Sequence, residues 1–263
     1  MQEKIPKALT IAGSDSGGGA GIQADLKTFT ALKVFGASVI TVITAQNTKE
    51  ITAMHNVPIE IISKQIDAVL SDIGADAVKI GMLSNAEIIR TVSECLKKFS
   101  IQKIVMDPVM ISTSGAKLLD DNAVDTLKKD LIPMALVVTP NIPEAEVLSG
   151  IKINSLSDVD TAAKKILEFG CKSVLMKGGH LNLGVNAITD VFYYGTKSFR
   201  FTNRKISKEG HGTGCTLSSA IAAFLARGFS LEESVKNAIA YVHNSLENGF
   251  KVGSQNYVLC HYC

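Results

Sequence analysis

Short apolar runs recur along the chain at residues 8–12, 37–43, 77–80, 103–106, 136–139 and 173–176. Most are continuous rather than alternating, as expected of strands buried on both faces of a parallel sheet. The segments between them carry helical periodicity. Over 84–98, Ser84 and Glu87 suit a capping box, and Ile88, Val92 and Leu96 share a face. Over 157–169, Val159, Ala162, Ala163, Ile166 and Leu167 form one stripe, and Gly170 stops the helix. Ser230 with Glu233 opens a last helix running to about residue 246. This alternation predicts right-handed crossovers and a doubly wound α/β sandwich. One stretch departs from it: 188–194, a Gly195-Thr196 turn and 197–202 read as a β-hairpin, hence an antiparallel edge. No linker, low-complexity segment or repeat interrupts the pattern, so residues 1–263 are expected to form one domain.

Composition narrows the function classes. Trp is absent and aromatics are 6%, so the core must be aliphatic. A net charge of +2 with mixed signs leaves no basic stripe for nucleic acid. Charged residues open the chain, and the apolar run behind them ends at Gly13, too short to span a bilayer; no membrane contact and a cytoplasmic location are expected. Five scattered cysteines, 95, 171, 215, 260 and 263, are expected as reduced thiols. The tail Cys260-His261-Tyr262-Cys263 has metal-like spacing, but no second cysteine pair completes a zinc site.

In an open parallel sheet, ligands bind beyond the carboxyl ends of the strands. Small or polar groups follow each predicted strand: the glycine loop from Gly13 to Gly21, then Gln46-Asn47-Thr48, Gly81-Met82, Asp107-Pro108, Asn141-Ile142-Pro143-Glu144 and Lys177-Gly178-Gly179-His180. Any single loop is polar without needing a function; six on one edge point to a binding edge. The first glycine loop is not a P-loop. It fits a dinucleotide fingerprint only as Gly19-x-Gly21-x-x-Ala24, and amides, not an acid, end the second strand, which disfavours a redox site. It reads better as a backbone wall that lets a flat ligand approach.

The second glycine loop is the stronger signal. His211-Gly212-Thr213-Gly214-Cys215 opens a helix whose apolar face holds Leu217, Ile221, Phe224 and Leu225. Converging backbone N–H groups at a helix start hold an anion, and suit a phosphoryl group in flight. Cys215 in the first turn is expected to have a lowered pKa and to accept or position the proton of an attacking alcohol. Asp107 and Glu144 are candidates to hold Mg²⁺, Lys177 to meet a phosphate, and Gln46 to pair with the edge of an aminopyrimidine.

Across nearly its whole length the chain resembles the hydroxymethylpyrimidine/phosphomethylpyrimidine kinases of thiamine biosynthesis, in the ribokinase-like superfamily. The resemblance rests on eight ordered blocks, among them Gly18-Gly19-Ala20-Gly21-Ile22-Gln23-Ala24-Asp25, Thr44-Ala45-Gln46-Asn47-Thr48, Lys79-Ile80-Gly81-Met82, Asp107-Pro108-Val109-Met110 and His211 to Leu217. It implies a three-layer sandwich with a central, mostly parallel sheet flanked by helices. It further implies ATP with Mg²⁺, a homodimer, and two successive phosphorylations, of 4-amino-5-hydroxymethyl-2-methylpyrimidine and then of its monophosphate. By matching motif, Gly13, Asp25, Gln46, Met82 and Val109 would line the pyrimidine pocket. Gly212, Thr213, Gly214 and Cys215 would form the catalytic anion hole, and Lys177, Asn141 and Thr139 would face the nucleotide. Asn141 and Glu144 match an Asn-x-x-Glu magnesium/phosphate motif. The family's closing Gly-Pro-Val-x-His run is replaced here by Tyr257-Val258-Leu259-Cys260-His261. Pyridoxal kinase, which shares the Cys loop among close relatives, is the alternative activity; a dinucleotide-dependent oxidoreductase and a non-catalytic pyrimidine sensor are the other classes considered.

Overall fold

The computed structural model describes residues 4–111, 118–120, 122–178 and 186–263. Gly179 and His180, part of the sixth candidate loop, lie outside them.

Each apolar run becomes a strand: β1 (Lys7–Asp15), β2 (Phe35–Gln46), β4 (Ala77–Ile80), β5 (Ile104–Met106), β6 (Val137–Val138) and β7 (Ser173–Met176). These six pair in parallel, and the expected hairpin adds β8 (Ala187–Tyr194) and β9 (Lys197–Arg204) antiparallel at one edge. The opposite edge carries another antiparallel strand, β3 (Ile51–Asn56), giving the order β3-β2-β1-β4-β5-β6-β7-β8-β9. The sequence pattern does not announce β3 because five of its six residues are exposed, so no apolar periodicity marks it.

Helices cover both faces. On one, α2 (Ile59–Ala68), α3 (Ala86–Lys98), α5 (Ile142–Ser149) and α6 (Leu156–Leu167) pack Ile62, Ile88, Ala145 and Val159 against Leu9, Ile11, Val78 and Ile80. On the other, α1 (Gly21–Ala31), α7 (Thr213–Ala226) and α8 (Leu231–Glu247) pack Phe29, Ile221 and Val235 against Ala8, Ala77 and Val105. A short helix, α4 (Ala123–Thr126), follows β5. Alternate residues of β1 and β4 thus serve opposite cores, which is why those runs are continuous. The α/β three-layer sandwich is as expected.

Two helix starts differ from expectation. Asn85, not Ser84, caps α3, its side chain accepting from the Ile88 N–H at 2.9 Å. Ser84 has a left-handed backbone, and its hydroxyl donates to Asn56 Oδ1 instead. Ser155 caps α6 in a box with Asp158, one turn ahead of the stripe that marks the helix in sequence. Ser230 and Glu233 cap α8 as read. Among the described residues no helix is long and apolar enough to cross a membrane.

The cysteines do not all stay free. Cys95, Cys171 and Cys215 are free thiols, but Cys260 and Cys263 form a disulfide, their Cα atoms 5.7 Å apart across the C-terminal turn. Sparse, odd usage over the whole chain does not forbid pairing between two cysteines that a single turn brings together. The tail itself returns to the sheet edge of the site: β11 (Tyr257–Val258) pairs with β10 (Gly210–His211), immediately ahead of the second glycine loop. His261 is buried with its Nε2 3.2 Å from the Thr216 hydroxyl. Without Gly or Pro, this segment still reaches the start of α7.

Candidate active site

The carboxyl ends of β1, β2, β4, β5, β6 and β7 and the N-terminus of α7 open into one cavity of about 950 Å³. Gly13, Gln46, Met82 and Val109 line one part of it, and Asp107, Asn141, Glu144 and Lys177 another. Gly212, Thr213, Gly214 and Cys215 lie between them. Twelve of the fourteen residues singled out from sequence therefore meet in one place.

Asp25 and Thr139 do not line it. Asp25 lies on the inward face of α1 with Ile22 and Phe29 and is wholly buried. It accepts from Thr10 Oγ1 at 2.6 Å, Ser219 Oγ at 2.5 Å and Lys79 Nζ at 2.8 Å. Thr139 is also wholly buried, its hydroxyl 3.3 Å from Asp107 Oδ1, so it braces that carboxylate rather than facing a ligand.

The two glycine loops are built against each other. Asp15 accepts from the N–H groups of Gly17, Gly19 and Ala20, which winds the first loop around its carboxylate. His211 Nε2 lies 3.0 Å from the same carboxylate and ties the second loop to it. Burial opposes the Asp15 charge, but the His211 contact and these N–H groups outweigh it and lower its pKa. Gly212 has φ +81°, and a Cβ there would collide with the Gly19 carbonyl oxygen. The glycine at 212 thus allows both a left-handed helix entry and backbone contact between loops. The Gln46 amide stands between the Thr44 hydroxyl (3.2 Å) and the His211 ring (3.3 Å).

Gly212 provides no side-chain cap for α7, so its first-turn N–H groups face the cavity without one. Gly214 leaves room for two charged groups: a Cβ there would sit 3.2 Å from Lys177 Nζ and 3.3 Å from Asp107 Oδ2. Lys177 donates to Asp107 Oδ1 at 2.9 Å and lies 3.8 Å from Glu144 Oε2. Burial works against the Lys177 charge, but Asp107 and then Glu144 outweigh it and hold its pKa above the usual value. Glu144 is raised to about 7, mainly by burial; Lys177 opposes the rise and Asp107 adds to it. The Asn-x-x-Glu motif is also a capping box: Asn141 Oδ1 accepts from the Glu144 N–H and Glu144 Oε2 from the Asn141 N–H. Both residues are thereby rigid on the start of α5.

Cys215 departs from expectation. Its pKa is raised to about 11, chiefly by burial. Lys79 and the Gly21 N–H pull it down, while Asp25 and Asp107 push it up. At neutral pH the group beside the anion loop is a thiol.

Several site residues escape a reading of the sequence. Asp15 and His211 join the loops, and Lys79 is hidden in an apolar strand. Ile206, Leu217 of α7, and Ile239, Val242 and Leu246 of α8 form an apolar lobe of the cavity. Asp15, His211 and Lys79 all fall inside motifs marked in sequence, but nothing in local spacing assigns them these contacts; the lysine shows only as a lone charge between buried Val78 and Ile80.

A mostly parallel sheet with an anion-binding helix start at its carboxyl edge, a lysine–carboxylate group beside it and an apolar lobe behind defines a small-molecule kinase of ribokinase-like fold. The profile of the family described as phosphomethylpyrimidine kinase matches residues 15–260. The hydroxymethylpyrimidine/phosphomethylpyrimidine kinase of Bacillus subtilis is 47% identical over 251 residues, 95% of this chain and 92% of that one. Two solved structures resemble the fold closely. A phosphomethylpyrimidine kinase from Clostridium difficile shares 49% identity at TM-score 0.81, covering 91% of this chain and 98% of that one. The pyridoxal kinase of Staphylococcus aureus in complex with AMP-PCP and pyridoxal shares 37% at TM-score 0.90, covering 98% and 94%. The chain belongs to the phosphomethylpyrimidine kinase family.

Proposed function

We propose that the chain transfers the γ-phosphoryl of ATP to the hydroxymethyl group of 4-amino-5-hydroxymethyl-2-methylpyrimidine, and then phosphorylates the monophosphate to the diphosphate, in thiamine biosynthesis. The observation that carries this reading is the opening of the α7 first turn, with Cys215, into the same cavity as Gly13, Gln46 and Met82. The ring lies against Gly13, Met82 and Val109, with the Gln46 amide at its polar edge. The alcohol oxygen, beside Cys215, forms the new P–O bond as its proton passes to a phosphate oxygen or to water. The bond from γ-phosphorus to its bridging oxygen breaks, and the electron pair leaves with ADP. The N–H groups of Thr213, Gly214 and Cys215 meet the charge on the moving group. The base of ATP fits the apolar lobe of Ile206, Val242 and Leu246, and its phosphates run toward Asn141 and Lys177.

The donor set fits magnesium. Asp107 and Glu144 are buried carboxylates, and the Glu144 pKa is raised first by burial and further by the neighbouring Asp107 charge, with Lys177 opposing. Asp107 and Glu144 on the cavity wall suit an ion that takes one or two carboxylates plus phosphate oxygens and water. When bound, magnesium neutralises charge on the phosphates.

Product analysis by mass tests the reaction: one and then two phosphates should add to the pyrimidine, and no addition overturns the reading. Pyridoxal is the second acceptor to assay, because of the likeness to a pyridoxal kinase. Equal or better turnover of pyridoxal would reassign the preferred alcohol. Gln46→Leu should raise the pyrimidine KM by about 1–3 kcal/mol, roughly 5- to 150-fold, with kcat less affected. An unchanged KM would place the ring elsewhere.

The protein works in the cytoplasm, where its nucleotide is supplied, as a homodimer. The exposed edge supports the dimer: among the described residues β3 leaves one side unpaired, and Ile43, Ala45 and Ala53 are exposed on one face of β2 and β3, with His55 opposite Ile43. Sedimentation should give a dimer, and Ile43→Glu a monomer; a monomeric parent protein rejects this part.

A further inference from the structure

Residues 250–263 take no part in the reaction outlined above, yet they lie against both loops that do. β11 runs beside β10 with Tyr257 opposite Gly210 and Val258 opposite His211, so the pairing ends one position before the Gly212 entry to α7. Phe250 and Val258 exchange backbone hydrogen bonds of 3.1 and 2.9 Å, which turns the segment back on itself. Within that turn Gly253 abuts the Thr48 side chain, where a Cβ would collide, so the turn rests on the loop that follows Gln46. Further on, the segment is fixed to α8. The Cys260 N–H donates to the Ser245 carbonyl at 2.9 Å, the Tyr241 hydroxyl to the His261 carbonyl at 2.9 Å, and the Asn244 side-chain amide to the Cys263 carbonyl at 3.2 Å. From this anchor the buried His261 ring reaches the hydroxyl of Thr216, the residue after Cys215. The segment is a strap from the Gln46 loop to the first turn of α7.

The Cys260–Cys263 disulfide closes the turn of the strap that carries His261. A staple for the whole fold would close a long loop, because the restriction it places on the unfolded chain grows with loop length. This one joins residues three positions apart, so what it restricts is local: the hold of His261 on Thr216. Its two ends differ in access. Cys260 is buried, whereas Cys263 is exposed and open to attack by a thiolate. In the cytoplasm proposed above, where thiols are kept reduced, such a pair is made and broken rather than permanent.

We propose that Cys260 and Cys263 form a thiol–disulfide exchange site for a dithiol, and that its state sets how firmly the strap braces the start of α7. A thiolate of the dithiol attacks the exposed Cys263 sulfur. The bond to Cys260 breaks, and its electron pair leaves on the Cys260 sulfur, which takes a proton from water. The second thiol of the dithiol then attacks the mixed disulfide and frees Cys263 as a thiol. The dithiol ends as a disulfide, and the protein pair has gained two electrons and two protons. The disulfide form is the braced one. This goes beyond the kinase reading; only its consequence for turnover rests on that reading.

Thiol counting, hydrogen exchange and kinetics test it, with dithiothreitol as the dithiol. Protein equilibrated in air should show three free thiols to iodoacetamide under denaturing conditions, and five after reduction. Five before reduction overturns the proposal. In the folded protein, reduction should speed amide exchange at Tyr257, Val258, Cys260 and Thr216 by about tenfold, the scale of cross-linking so short a turn, while β1 and β4 amides stay as they were. Equal exchange in the two states overturns it. Reduction should also lower kcat about threefold or more, since an unbraced first turn of α7 positions the reacting groups less well. Equal kcat overturns it too. Cys263→Ser alters an exposed position and should match the reduced parent with or without dithiothreitol. That variant keeps Cys215, so a redox response that survives in it belongs to the other thiol and rejects the exchange site. Thiol counting and hydrogen exchange need no substrate, so a parent that turns over no pyrimidine counts against the kinase reading alone.

Discussion

Cys215→Ala should cut turnover by about 100-fold or more while leaving ATP affinity near normal, the scale expected when a positioned acid–base group is lost. The sulfur stands on the first turn of α7, whose N–H groups remain in the variant, so the nucleotide keeps its contacts. The pKa of about 11 sharpens the expectation. A thiol at working pH already carries its proton and is no base; it orders the alcohol, whose proton goes to a phosphate oxygen or to water. Turnover should therefore show no rising limb from thiol ionisation near neutral pH, and Cys215 alkylation should keep accelerating toward about pH 11. Steady-state kinetics of the variant, with nucleotide binding followed by calorimetry, measures both parts. Unchanged turnover would take Cys215 out of the mechanism.

Asp25→Ala should be the most destabilising single change at the site, costing about 3–5 kcal/mol. The reason is what it leaves behind: an ammonium with no exposed surface and no counter-ion, plus two hydroxyls, on Thr10 and Ser219, without their acceptor. Burial already opposes the Lys79 charge, and Asp25 is the largest contribution that restores it. Because that pairing raises the Lys79 pKa, its stabilisation is complete below the unfolded lysine value and fades as pH climbs through the folded one. At neutral pH the whole loss should appear in denaturant unfolding. Asp25→Asn, which keeps one of the two acceptor oxygens, should recover part of it. A cost below about 1 kcal/mol for the alanine variant would mean that water replaces the carboxylate.

The first glycine loop shows where sequence reading reaches and where it stops. Its composition indicates a backbone wall, and the loop does border the cavity at Gly13 and Gly21. That its fold is wound on Asp15 and latched by His211, 196 positions away, has no signature in local spacing. Asp25 is a similar case. Motif matching marks it as a functional position, yet the same letter serves a pocket wall or a buried support, and only the packing of α1 against β4 and α7 distinguishes them.

The expected fall in the Cys215 pKa was a helix-terminus argument applied alone. Partial positive charge at a helix start is local and modest, whereas burial beside Asp25 and Asp107 depends on two other elements, α1 and the end of β5. Ser84 and Asn85 make the point at smaller scale: both letters cap helices well, and the backbone entering from β4 decides which one does.

By itself, the sequence determined the strand runs, the hairpin, the order of layers and the edge at which ligands collect, because these follow from local periodicity and from the handedness of parallel crossovers. Tertiary structure alone decided which charges are buried together, which thiol pairs with which, and how the two glycine loops touch. Those depend on through-space distances of a few ångströms between residues far apart in the chain, where burial changes the energy of a charge by more than any local pattern can encode.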